Sequence, residues 1–336
     1  MGMWPGKHTM AVLSYLEAIR ETLRQEMRHD SRIIIYGEDV GVRGGVFRVT
    51  EGLQKEFGEE RVIDSPLAEA AIVGTAIGAA INGLRPVPEI QFADFIFPAI
   101  NQIVQEAARI RYRSNGTFSV PLVIRAPFGG GVHGALYHSQ SVEVFFAHVP
   151  GLKVVIPATP YDAKGLLAAA IQDEDPVLYF EHKAAYRSLK GEVPEERYLI
   201  PIGQADRKRD GKDVSIITYG LMVNYALKAA EELEKEGISV EILDLRSIRP
   251  LDAEAILDTA KKTGKVLIVH EDNLTGGVGG EVSALIAEHA LFYLDAPIMR
   301  LAGPDVPAMP YSAPLEHAFM VTPDKIRDKA RELAKF

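Results

Sequence analysis

Residues 64–83, DSPLAEAAIVGTAIGAAING, constrain the fold more tightly than any other stretch of the chain. Ser65 is a favourable N-cap, Pro66 suits a first helical position where no intrahelical partner is lost, and Asn82-Gly83 supplies a C-terminal stop. Between these ends the residues are small and apolar on every side. The pattern therefore predicts one helix covered all round, with Gly74 and Gly78 admitting another backbone closely. Glu69 is the exception. A carboxylate in a helix meant for burial is costly unless a specific group pairs with it. The positive helix terminus and a nearby arginine could satisfy it, or a ligand could.

Around this helix the chain alternates between element types. Short buried strands are predicted at 33–36, 61–64, 86–90, 122–125, 154–156 and 177–180. They are separated by helices: an amphipathic one marked by Val12, Leu16, Ile19, Leu23 and Met27, the 64–83 helix, a long one over 97–112, and one over 161–171. This order predicts an α/β domain with a parallel sheet. Residues 188–209, with prolines, glycines and charges but little periodicity, read as a linker between domains at 1–187 and 210–336. The second domain repeats the alternation, with strands at 214–219, 240–245, 266–269 and 297–301 and a terminal helix over 323–336. At 336 residues the chain has room for about two domains of roughly 150 residues each.

Composition removes several classes of function. The chain has no cysteine, which excludes disulfides, thiolate metal sites and a catalytic thiol together. A formal net charge of -9 argues against a broad nucleic-acid or anionic-membrane surface. Residues 1–8 lack the apolar core of a secretory signal, and the apolar run 70–81 is too short to cross a bilayer. The expectation is a cytoplasmic protein.

Four loops could carry chemistry. Gly37-Glu38-Asp39-Val40-Gly41 with Arg43-Gly44-Gly45 follows a strand, where it reads either as a site-shaping loop or as a tight turn. Residues 128–140 are too glycine-rich for a regular element, and their His133 and His138 are candidates for acid–base work or for ordinary surface hydrogen bonding. The turn Asp173-Glu174-Asp175-Pro176 is a solvated face or a hard-cation site. Gly276, Gly277, Gly279 and Gly280 open a helix without the lysine or spacing of a phosphate loop, which favours close helix packing.

Four motifs in one order resemble a single family. They are Gly37-Glu38-Asp39-Val40-Gly41 with Gly44-Gly45-Val46-Phe47, Asp64-Ser65-Pro66-Leu67-Ala68-Glu69, Glu89-Ile90-Gln91-Phe92-Ala93-Asp94-Phe95, and residues 133–140. The family is the β subunit of the thiamine diphosphate-dependent decarboxylating component of 2-oxo acid dehydrogenase complexes. The likeness covers nearly the whole chain. It implies an α/β, transketolase-like fold: a pyrimidine-binding domain, then a transketolase C-terminal domain, each with a mostly parallel sheet between helices.

The resemblance also implies roles for single residues. In this family the cofactor's own imino group takes the thiazolium C2 proton, and a buried glutamic acid shares a proton with the pyrimidine N1'. Glu69 falls at that position, and Leu67 and Phe95 fall where the family lines the aminopyrimidine pocket. Some relatives carry tyrosine in place of Phe95, so any contact made by that hydroxyl is missing here. His138 matches the histidine that faces substrate and lipoyl group, and ranks above His133. A potassium ion is implied near the carbonyls of Leu122, Ala170 and Ile171, with Asp173 and Asp175 beside it.

The chain lacks the Gly-Asp-Gly and later Asn with which the superfamily holds magnesium and diphosphate. The resemblance places those groups on a separate α subunit, in an α2β2 heterotetramer whose sites lie at α/β contacts. It implies further that the second domain docks the peripheral-subunit-binding domain of an acyltransferase core, near the last helix and the Phe336 carboxylate, and that a lipoyl domain visits the site. The reaction implied is oxidative decarboxylation of a 2-oxo acid with reductive acylation of lipoyl groups. Residues 92–98, 135–140 and 302–311 look closer to branched-chain members, which favours 3-methyl-2-oxobutanoate and its homologues over pyruvate or acetoin. A non-catalytic assembly subunit bridging the α subunit and the core is the reading from another class.

Overall fold

The computed structural model describes residues 9–336, and the reading of residues 1–8 lies outside it. β1 (Met10–Ser14) leads into a helix, Tyr15–His29, whose start is fixed by a capping box: the Glu17 N–H donates to the Ser14 hydroxyl and the Ser14 N–H to the Glu17 carboxylate. Leu16, Ile19, Leu23 and Met27 form its buried stripe as their spacing predicts. Val12 does not belong to it. It lies in β1 with its side chain 69% exposed, because the cap at Ser14 ends the extended chain there.

The remaining strands are β2 (Ile33–Gly37), β3 (Val62–Asp64), β4 (Arg85–Glu89), β5 (Val123–Phe128), β6 (Lys153–Val155), β7 (Val177–His182), β8 (Lys190–Pro194), β9 (Asp206–Arg209), β10 (Val214–Thr218), β11 (Val240–Asp244), β12 (Ser247–Arg249), β13 (Val266–Asn273) and β14 (Met299–Gly303). The first sheet runs β12-β6-β7-β5-β4-β2-β3 and the second β14-β13-β10-β11-β9. Only β12 on β6 and β9 on β11 are antiparallel within them. The segment 188–209 thus holds two paired strands, since β8 zips onto β1 and β9 edges the second sheet. β12 comes from the second half of the chain yet closes the edge of the first sheet.

Helices cover both sheet faces, so the strands are apolar on both sides. Along β7, Val177 and Tyr179 enter one cluster of buried side chains while Leu178 and Phe180 enter the other, and each cluster continues into the second domain. Among the described residues no helix is long and apolar enough to cross a membrane.

Two predicted helices differ from expectation. The central one spans Glu69–Ile81 and has Ala68, not Ser65, at its N-cap. The Ser65 N–H bonds to the Gly37 carbonyl at 2.8 Å, which holds the chain extended past β3, and the Ser65 hydroxyl turns to the Pro66 carbonyl. Ile72, Val73, Ala76, Ile77 and Ala80 are buried, but Ala71, Thr75 and Gly78 are exposed. A Cβ on Gly78 would meet nothing within 4 Å, whereas one on Gly74 would touch Gln102. The described residues therefore cover one side of this apolar helix and leave the other exposed.

The helix expected over 97–112 is broken into 3-10 turns at Ala93–Phe95 and Phe97–Ala99, a π-helical stretch at Gln102–Ala107 and a short helix at Ile110–Arg113. The Ala108 N–H reaches back five residues to the Ile103 carbonyl at 3.0 Å. Gly151 presses so closely on the Ala108 carbonyl that a Cβ there would collide with it. A wide turn of this kind is set by packing and not by local propensity.

Candidate active site

Register places the candidate loops together. Gly37 lies opposite Asp64 and Glu89, and Phe128 opposite His182, so the segments leaving β2, β3, β4, β5 and β7 emerge at one carboxyl edge. Ligand crevices in open α/β sheets form at such edges. The loop after β2 is tight, with the Gly45 N–H donating to the Asp39 carbonyl at 2.7 Å and the Gly41 N–H to Asp64 Oδ1 at 2.6 Å. Gly44 and Gly45 take positive φ of 73° and 80°, which a glycine adopts without strain. The loop is thus a tight turn packed close to the end of β4, for a Cβ on Gly45 would lie 3.4 Å from Glu89 Oε1.

Glu69 stands in the first turn of its helix, half-buried, with no hydrogen bond or ion pair among the described residues. Its charged neighbour is another acid. Burial, then Asp39, then Glu69 push the Glu38 carboxyl above its ordinary range. Leu67 is 70% exposed and offers its side chain outward. Phe95 and His138 are brought together, their ring centroids 5.4 Å apart and edge to face. Phe92, which sequence reasoning missed, completes the group at 4.6 Å from His138 and 5.5 Å from Phe95. The His138 ring has no hydrogen-bond partner among the described residues. His133 is drawn elsewhere, with Nδ1 2.5 Å from Oε2 of the buried Glu316 of the second domain.

Three buried carboxylates hold the glycine-rich loop by its backbone. Glu271 accepts from the Gly130 N–H at 2.5 Å, Glu316 from Gly131 and His133 at 3.2 Å each, and Asp94 from Ser139 and Gln140 at 3.1 Å each. Beneath the crevice Arg125, fully buried, donates to Glu89 at 2.6 Å and in a two-point fork to Glu181 at 2.6 and 2.8 Å, and the Tyr186 hydroxyl donates to Glu181 as well. Burial holds the Glu89 carboxyl above its usual range against the pull of Arg125. The available signal for this network was a charge inside an otherwise apolar strand, as in VIRAPF and VLYFEH.

The acidic turn at 173–175 is an ion-pair cluster. Arg85 donates to the carbonyls of Ile171 and Asp173 at 3.0 Å each and pairs with Glu174. Lys153 binds Asp173 at 2.6 Å, Arg111 binds Asp175 at 2.6 Å, and the carbonyls of Leu122 and Ala170 accept from the Val177 and Asp173 N–H groups. Cationic side chains thus meet the Ile171 carbonyl and the Asp173 and Asp175 carboxylates, while the Leu122 and Ala170 carbonyls meet only backbone N–H groups among the described residues.

Residues 11–188 match the family profile of the transketolase pyrimidine-binding domain, and residues 203–326 that of the transketolase C-terminal domain. Over 327 residues, 97% of this chain and 100% of the relative, the sequence is 63% identical to the 2-oxoisovalerate dehydrogenase subunit beta of Bacillus subtilis (strain 168). The chain belongs to the 2-oxo acid dehydrogenase β-subunit family. Another member, the pyruvate dehydrogenase E1 component subunit beta of the same organism, is 50% identical over the same coverage. A solved structure described as a split gene transketolase, inactive beta4 tetramer, aligns with a TM-score of 0.77 over 96% of this chain and 98% of that one at 21% identity, which places the fold among the transketolases.

Proposed function

We propose that this β subunit contributes the aminopyrimidine half of a thiamine diphosphate site and, with an α subunit, decarboxylates a branched-chain 2-oxo acid and passes the acyl group to a lipoyl domain. The observation that carries this reading is Glu69: a half-buried carboxylate, without a partner among the described residues, in the first turn of a helix at the carboxyl edge of the sheet. At one end of the cofactor Glu69 would meet a ring nitrogen and Phe95 would flank the ring, a reading supported by the free carboxylate of Glu69 among the described residues and by the aromatic group of Phe92, Phe95 and His138. The diphosphate and magnesium would be held by the α subunit. When bound, the cofactor supplies the carbanion chemistry that lets a 2-oxo acid lose carbon dioxide. Glu69 would hold a proton at the ring nitrogen, and Phe92, Phe95 and His138 would exclude water from one wall. The His138 ring, without a hydrogen-bond partner among the described residues, would donate or accept a proton on the substrate side. The exposed side of the Glu69 helix is available for an α2β2 contact, and the last helix with the exposed Phe336 for the core's peripheral-subunit-binding domain. The protein would work in the cytoplasm.

Identity of 63% against 50% favours the branched-chain substrate over pyruvate. The test is calorimetry of thiamine diphosphate with magnesium, on this chain alone and co-purified with an α subunit, followed by turnover on branched-chain acids and on pyruvate. Tight binding by the pair alone, with faster branched-chain turnover, is the expected result. Tight binding by the lone chain would overturn the shared site.

A further inference from the structure

Lys183 follows β7 and is buried, and its Nζ has no hydrogen-bond partner among the described residues. An ammonium group out of water and without a hydrogen bond is costly, so the position calls for an explanation. Two observations supply it. Lys183 Nζ lies 4.0 Å from Asp94 Oδ2, an oxygen that is itself buried and has no hydrogen bond. It also sits 5.6 Å from the centroid of the Phe92 ring, over its face.

Both contacts lead to His138. The other oxygen of Asp94 takes the N–H groups of Ser139 and Gln140, which fixes the backbone next to the histidine. The Phe92 ring meets the His138 ring edge to face at 4.6 Å. Asp94 Oδ1 accepts both amides, and Lys183 is the cationic side chain beside its other oxygen.

We propose that Lys183 is a positioning residue: its ammonium, held between Asp94 and the Phe92 face, fixes the height and tilt of the His138 ring, a role that rests on the reading of His138 given above. Burial pushes the Lys183 ammonium down to about 8, while Asp94 and Glu271 oppose that shift, so the group is charged through neutral pH. Lys183 does not reach the reacting atoms. It acts through the loop.

The test is a double-mutant cycle in the assembled α/β holoenzyme, with kcat and KM measured separately for Lys183→Met, His138→Ala and the pair. A positioning role predicts that Lys183→Met lowers kcat on the order of 10²-fold with little change in KM. It also predicts that the double variant is no slower than His138→Ala alone. If Lys183→Met prevents assembly, Asp94→Asn, which keeps the shape and one acceptor, enters the same cycle with the same expectation. Full wild-type kcat in Lys183→Met, or independent losses that multiply in the double variant, would overturn the proposal. A His138→Ala enzyme of wild-type rate would instead overturn the reading of His138, which separates the two failures.

Discussion

Glu69 and His270 show what a single titratable side chain can be asked to do in this fold. Among the described residues the charged neighbour of Glu69 is an acid, Glu38, which is tolerable for a group that meets a ligand nitrogen and wasteful for one that serves packing alone. Glu69→Gln keeps size and shape. It should leave assembly and melting temperature unchanged while lowering turnover by the assembled enzyme on the order of 10²-fold or more, and unchanged turnover would indicate an assembly subunit. His270 is structural. Its Nδ1 lies 3.0 Å from the Asp272 carbonyl, its ring blocks any side chain at Gly277 and Gly279, and burial pushes its pKa down to about 4. A folded pKa below the unfolded value of 6.5 means that the neutral ring stabilises the fold above pH 6.5 and that this contribution is lost as pH falls toward 4. The loss is on the order of 3 kcal/mol by pH 4. Urea unfolding between pH 7 and 4.5 should show a shallower acid decline in His270→Gln than in the wild type.

At the scale of elements, the Glu69–Ile81 helix is half a packing unit. Its inner side is filled by Ile72, Val73, Ala76, Ile77 and Ala80, while Ala71, Thr75 and Gly78 form an exposed outer stripe of small residues, with none of the described residues within 4 Å of a Cβ at Gly78. Gly78→Leu should leave the isolated chain as stable as before or raise its stability by up to about 1 kcal/mol, because a helix-interior glycine is removed without a clash. The same change should abolish assembly if a partner backbone approaches there. A thermal melt of the lone chain beside sedimentation of the co-expressed complex separates these effects.

At the scale of the molecule, the two domains are tied by charge as well as by strands. Asp162 of the first domain is fully buried and takes Arg246 at 2.7 Å and Lys208 at 2.7 Å from the second. Burial works against its ionisation, but these two cations hold its carboxyl below the ordinary range. Asp162→Ala would remove the partner that Arg246 and Lys208 share, leaving Arg246 with Asp206 and Lys208 with Asp206 and Asp244. A loss of about 1.5–3 kcal/mol is expected, read by calorimetry as a lower melting temperature.

Phe95 was singled out by family resemblance alone, whereas the sequence by itself determined the alternation of strands and helices, the two-domain order, the buried stripe of the first helix and the identity of Glu69 and His138 as residues worth attention. Those signals are local, a periodicity or a charge out of place, and local signals survive in one dimension. Tertiary structure alone decided that 188–209 would hold paired strands, that Ser247–Arg249 would close the other domain's sheet, and that the long helix would break at Gln102–Ala107. It alone joined Lys183 to Asp94 and Phe92 behind His138. Each of these depends on a partner far away in the chain, and a short strand edge or a lone buried charge has no meaning until that partner arrives.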